Sequence, residues 1–108
     1  MRILITSPFY PPLNSGLGNA VARQAANLNL AGHEVIVATG GDQRSFRMVG
    51  GVRVETFALT GADSRLHPIK GEVATYINFL RHNDWDVVLL NAWQNWATDL
   101  ALQNLDKI

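Results

Sequence analysis

Residues 19–38 read NAVARQAANLNLAGHEVIVA, and the fold follows from this stretch. Val21, Ala25 and Leu28, with Ala22, Ala26 and Leu30, recur at spacings of three and four, while Arg23, Gln24 and Asn27 gather on the other side. That period predicts an amphipathic helix from Asn19 to Ala31. Gly32 stands where a helix end favours a left-handed residue. His33 and Glu34 then lead into Val35-Ile36-Val37-Ala38, an unbroken aliphatic run typical of a strand buried on both faces of a parallel sheet.

Working outward, Ile3 to Thr6 is a second such run and reads as a central strand. Between it and the helix lie Pro8, Pro11, Pro12, Asn14, Ser15, Gly16 and Gly18, which predict a long loop. Strand, helix and strand thus make a βαβ unit with the usual right-handed crossover. Downstream, Thr39 to Gly50 is polar and glycine-rich and reads as a loop. Val52, Val54 and Phe57 alternate as a third strand, suited to an edge. Ala58 to Pro68 reads as irregular, and Ile69, Val73, Tyr76, Ile77 and Leu80 mark a second helix. Asp86 opens a fourth strand, Val87-Val88-Leu89-Leu90, ending at Asn91. Trp93, Ala97, Leu100 and Ala101 begin a third helix. Residues 1–108 are expected to form a single Rossmann-like α/β domain: an open parallel sheet, strand order 3-2-1-4 in chain numbering, helices on both faces. The third helix is expected to lead to a further strand, so the sheet reads as unfinished and the chain as truncated.

The composition is that of a folded globular chain, with 47% hydrophobic and only 17% charged residues. Nine basic residues balance nine acidic ones and are scattered along the chain. This argues against a nucleic-acid partner, which a basic run would track. With no cysteine, disulfides and thiolate zinc sites are excluded. No apolar stretch approaches the roughly 20 residues needed to span a bilayer, and the expected location is the cytoplasm. His33, His67 and His82 lie far apart, so no metal site is expected, and nothing calls for a cofactor.

In an open α/β sheet of this order, ligands bind outside the carboxyl ends of the strands where the order reverses, here between the first and fourth strands. The loop after the first strand and the segment from Asn91 to Trp96 should face each other there. Ser15, Gly16, Leu17 and Gly18 are the candidate binding residues of the first segment, because glycines ahead of a helix let a ligand approach bare N–H groups favoured by the helix dipole. Asn91 and Trp93 are the candidates of the second; for Asn91 a structural loop cap is an equally good reading, and for Trp93 a place in the core or at a domain interface is the better one. A dinucleotide fingerprint does not fit: Gly16 lies ten positions after Thr6, and Val21 occupies the third small-residue position. The phosphate-loop motif of nucleotide triphosphatases is absent, and no catalytic residue can be named.

Met1 to Thr6, Phe9-Tyr10-Pro11-Pro12, Ser15-Gly16-Leu17-Gly18, Ala31-Gly32-His33-Glu34-Val35 and Asp86-Val87-Val88 occur in this order over almost the whole chain. Together they resemble the N-terminal domain of group 1 (family 4) glycosyltransferases. The resemblance implies a GT-B enzyme whose two Rossmann-like domains face a cleft, here represented by an incomplete N-terminal domain. The N-terminal domain would serve chiefly the hydroxyl acceptor, and the absent C-terminal domain the nucleotide-sugar donor. It further implies transfer with retention, usually without a bound metal, and places Ser15 to Gly18 near the donor phosphates. Two departures stand out. The strand-end histidines that many members carry align with Leu89 and Asn91, and none of Glu34, Glu55 and Glu72 belongs to the family's glutamate pair, which lies in the C-terminal domain. A small non-catalytic nucleotide- or sugar-binding module is the alternative, and the open sheet edge would also allow a homo-oligomer.

Overall fold

A computed structural model of the chain describes residues 1–7, 16–60, 69–81, 83–91 and 100–102. Strand β1 (Arg2–Thr6) precedes helix α1 (Gly16–Leu30), followed by β2 (Glu34–Gly40), β3 (Ser45–Val49) and β4 (Val52–Phe57). Two short strands, β5 (Leu59–Thr60) and β6 (Lys70–Gly71), pair antiparallel with each other. Helix α2 (Val73–Arg81) and strand β7 (Val87–Leu90) complete the named elements. Residues 100–102 are helical.

The main sheet has five strands in the order β3-β4-β2-β1-β7. It is mixed: β4, β2, β1 and β7 run parallel, whereas β3 is antiparallel to β4. The expected four-strand, all-parallel 3-2-1-4 sheet is thereby corrected. Residues read as a loop between Thr39 and Gly50 supply β3, which takes the edge position expected of the Val52–Phe57 strand. The turn explains why. Gly50 and Gly51 have φ of 56° and 86°, and they join Val49 to its partner Val52. Two residues with positive φ turn a chain with the right-handed twist that paired strands need, so a Gly-Gly pair closes a tight hairpin. Asn29 fastens this hairpin to α1, its Nδ2 donating to Gly50 O at 3.0 Å.

Strand pleating divides the core into two. Ile3, Ile5, Val35, Val37, Val52 and Val54 point to one face and pack with Val21 and Ala25 of α1. Leu4, Ile36, Ala38 and Phe57 point to the other and pack with Tyr76 and Leu80 of α2 and with Leu100 and Ala101. Helical segments therefore cover both faces. The apolar positions of α1 lie on its buried stripe because of the spacing noted above, and each buried aliphatic side chain contributes roughly 1.5–3 kcal/mol relative to exposure. Tyr76 packs edge to face on Phe57, with ring centroids 5.1 Å apart. Its burial pushes the phenol well above its usual pKa, so the hydroxyl stays neutral.

Helix α1 ends as expected. Gly32, at φ 93°, follows the last turn; its N–H donates to Asn29 O at 3.0 Å, and the N–H of His33 donates to Leu28 O at 3.2 Å. This pair of hydrogen bonds to the last carbonyls is a Schellman termination. Two other boundaries differ from the sequence reading. Helix α1 begins at Gly16 rather than Asn19, and α2 begins at Val73 because Lys70–Gly71 pairs with Leu59–Thr60, inside the stretch read as irregular. Of the third expected helix, 92–99 lie outside the described residues.

Candidate site at the carboxyl end of the sheet

Parallel register sets the geometry. Thr6 pairs with Leu90 across β1 and β7 and with Ala38 across β1 and β2, so all three strands end at the same end of the sheet. The connections that follow β1 and β7 therefore both depart from that end. Helix α1 finishes beside the starts of β2 and β4, where Asn29 reaches Gly50, and so its first turn lies toward the carboxyl ends of the strands.

Gly16, Leu17 and Gly18 form the beginning of α1 itself and are not a loop ahead of it. The difference has a physical basis: a glycine pair costs helix propensity, but the first turn contributes N–H groups that have no partner within the helix, and a residue without a Cβ can pack closely there. Gly18 is buried. Ser15 and Trp93 lie outside the described residues.

Asn91 follows β7 directly and turns back on β1. Its backbone N–H donates to Thr6 O at 3.2 Å, and its side-chain Nδ2 donates to the same carbonyl at 3.1 Å. The side-chain amide thus ties together the ends of the two central strands. Of its two readings, the structural one accounts for this nitrogen, which caps the end of β1 instead of a loop. Asp86 has the corresponding task at the opposite end: its N–H donates to Arg2 O at 2.9 Å, and its Oδ2 accepts from the Arg2 N–H at 2.6 Å. It starts the strand.

Two residues that the sequence reading did not single out share the carboxyl end. Thr6 Oγ1 and Thr39 Oγ1 are buried and have no hydrogen-bond partner among the described residues. A buried hydroxyl without a partner costs about 1–3 kcal/mol, so such groups point to a ligand, a water or a neighbouring segment that satisfies them. Thr6 lies one pleat from Ser7, which is also buried and whose N–H donates to Ala38 O at 3.0 Å. The signal in the sequence was slight: a threonine ending an aliphatic run reads equally well as strand propensity.

Among the described residues no group of three or more His, Asp or Glu is placed to hold a metal ion, and His67 and His82 lie outside them. His33 lies at the other end of the sheet, with Nδ1 3.2 Å from the N-terminal amine. Asp42 is exposed beyond the end of β2. No family model matches the chain, and no curated protein matches it. No helix among the described residues is long and apolar enough to cross a membrane.

Proposed function

We propose that this chain is the acceptor-side, N-terminal domain of a retaining glycosyltransferase of the GT-B type, working in the cytoplasm. The parent protein moves a sugar from a nucleotide-sugar donor to a hydroxyl acceptor, and the chain alone is inactive. The observation that carries the reading is the shared departure end of β1 and β7, with the glycine-bearing start of α1 directed toward it. The dipole at a helix start can stabilise charge developing on a departing phosphate, a role suited to the Gly16–Gly18 turn. The Thr6 hydroxyl adds a short polar group suited to a sugar hydroxyl. The sequence segments that resemble group 1 (family 4) glycosyltransferases supply the reaction class. A second domain is the partner, and self-association through a sheet edge is a further, weaker contact.

Titration of the isotopically labelled chain with UDP-, GDP- and ADP-sugars tests this by nuclear magnetic resonance. Weak, millimolar-range perturbations centred on Gly16, Leu17, Gly18 and Asn91 are expected, since half a cleft leaves most ligand contacts unmade. Tight binding by the isolated chain would favour the non-catalytic module instead. Perturbations that avoid the carboxyl end, or enzyme-like turnover by the chain alone, would overturn the assignment.

A further inference from the structure

A second feature lies on the α2 face of the sheet, where the cleft is set among Arg2, Arg44, Arg53, Glu55, Phe79, Asn83 and Trp85 and has a volume of about 220 Å³. Arg53 and Glu55 are two positions apart on β4 and therefore share this face. Glu55 is buried, at 3% exposure, and both its carboxylate oxygens are engaged: Arg44 Nη2 donates to Oε1 at 2.6 Å and Arg53 Nε to Oε2. Arg44 also donates to the carbonyls of Ser45 at 2.8 Å and Thr56 at 3.4 Å. Arg2 reaches in from β1, donating through Nη2 to Asn83 Oδ1 at 3.1 Å and through Nη1 to Asp84 O at 3.5 Å. Its Nε is buried without a hydrogen bond among the described residues and lies 3.5 Å from the largely exposed carboxylate of Glu34.

Two properties set this cleft apart from an ordinary ion-pair cluster. Each guanidinium is braced on an aromatic ring: Arg2 over Trp85 at 4.9 Å, Arg44 over Phe57 at 4.3 Å and Arg53 over Phe46 at 4.5 Å. A ring face beneath a guanidinium holds the cation in position, which suits oxyanion recognition. Second, the lining carries three guanidiniums and the single carboxylate of Glu55, and with Glu34 pairing Arg2 from outside the lining the cleft keeps a net positive charge. The volume is below the roughly 300 Å³ at which pockets for drug-sized ligands begin, so it suits a compact group.

We infer that this cleft binds a phosphate dianion, free or as a phosphomonoester, between Arg2, Arg44 and Arg53. Its negative charge complements the net positive charge of the cleft, and its oxygens accept from donors that Glu55 leaves unused. The cleft shares no lining residue with the proposed site at Thr6, Gly16–Gly18 and Asn91, so this inference stands independently of that reading.

The test is a titration of the full chain with inorganic phosphate at constant ionic strength, read from the Nε–H signals of the arginines and the indole N–H of Trp85. Saturable shifts confined to Arg2, Arg44, Arg53 and Trp85 are expected, and they strengthen as pH rises and phosphate becomes the dianion. Arg2→Gln leaves the Glu55 pairings in place and is expected to weaken binding at least about tenfold, the loss of one charge-assisted contact. Arg23→Gln, on the exposed side of α1, should leave it unchanged. Thermal stability should rise with phosphate in the parent chain and in Arg23→Gln, and much less in Arg2→Gln. Shifts that do not saturate, that appear equally at Arg23, or that survive Arg2→Gln would overturn the inference.

Discussion

The parallel centre of the sheet and its antiparallel edge are built on different physical grounds. In β1, β2 and the alternate positions of β4, side chains are sealed between two helical layers; Leu4, Ile5, Val37 and Val54 are fully buried. In β3 every residue is exposed, including Phe46 and Met48 at 59% and 61%. The centre is held by burial, whereas the edge is held by backbone pairing, the Gly50–Gly51 turn and the Asn29 contact. A strand can therefore be present with no buried residue at all, provided its turn is favourable and its neighbour is fixed.

Substitutions sharpen that contrast. Leu4→Ala, which empties the middle of the cluster formed with Ile36, Phe57 and Tyr76, should lower stability by about 3–5 kcal/mol in chemical denaturation. A loss under about 1 kcal/mol would show that this core is not close-packed. Gly51→Ala comes next. It places a Cβ 2.6 Å from Asn29 Nδ2 and forces a side chain into a left-handed conformation, for an expected cost of about 1–2 kcal/mol. Hydrogen exchange should then quicken in β3 while β1 and β2 stay protected. If the centre loosened equally, the edge would be part of the same cooperative unit. Met48→Lys, on the exposed strand, should change stability by no more than about 0.5 kcal/mol in the same denaturation experiment. A larger loss would mean that Met48 is covered in solution.

The resemblance-based reading depends on the centre, and the phosphate inference depends on the junction of centre and edge. Arg44 and Arg53 converge only because β3 folds back over β4 and carries Phe46 beneath Arg53. Glu55 sits where the core meets this junction. A buried carboxylate needs paired donors, and the two arginines provide them from positions eleven and two residues away.

Much of the centre was legible in the sequence. Aliphatic runs at Ile3–Thr6, Val35–Ala38 and Val87–Leu90 identified strands, because burial on both faces demands uninterrupted apolar side chains. The three- and four-residue period of α1 and its Gly32 termination were equally readable. The β3 segment was not: Ser45-Phe46-Arg47-Met48-Val49 mixes charged and apolar residues, and it lies beside two glycines that read as loop. The Gly-Gly pair between Val49 and Val52 was the available signal of a hairpin. Likewise, Gly16 and Gly18 suggested a loop because helix propensity counts against glycine, although a helix start tolerates it where close packing is needed.

By itself, then, the sequence determined that the chain forms alternating buried strands and amphipathic helices, since periodicity and aliphatic runs are local properties. Tertiary structure decided that Asn91 caps Thr6, that the Thr6 hydroxyl is buried without a partner among the described residues, and that Arg2, Arg44 and Arg53 line one cleft. Those relations join residues up to 85 positions apart through strand register. Register is set when the whole sheet assembles and its two cores close, and so it cannot be read from any single segment.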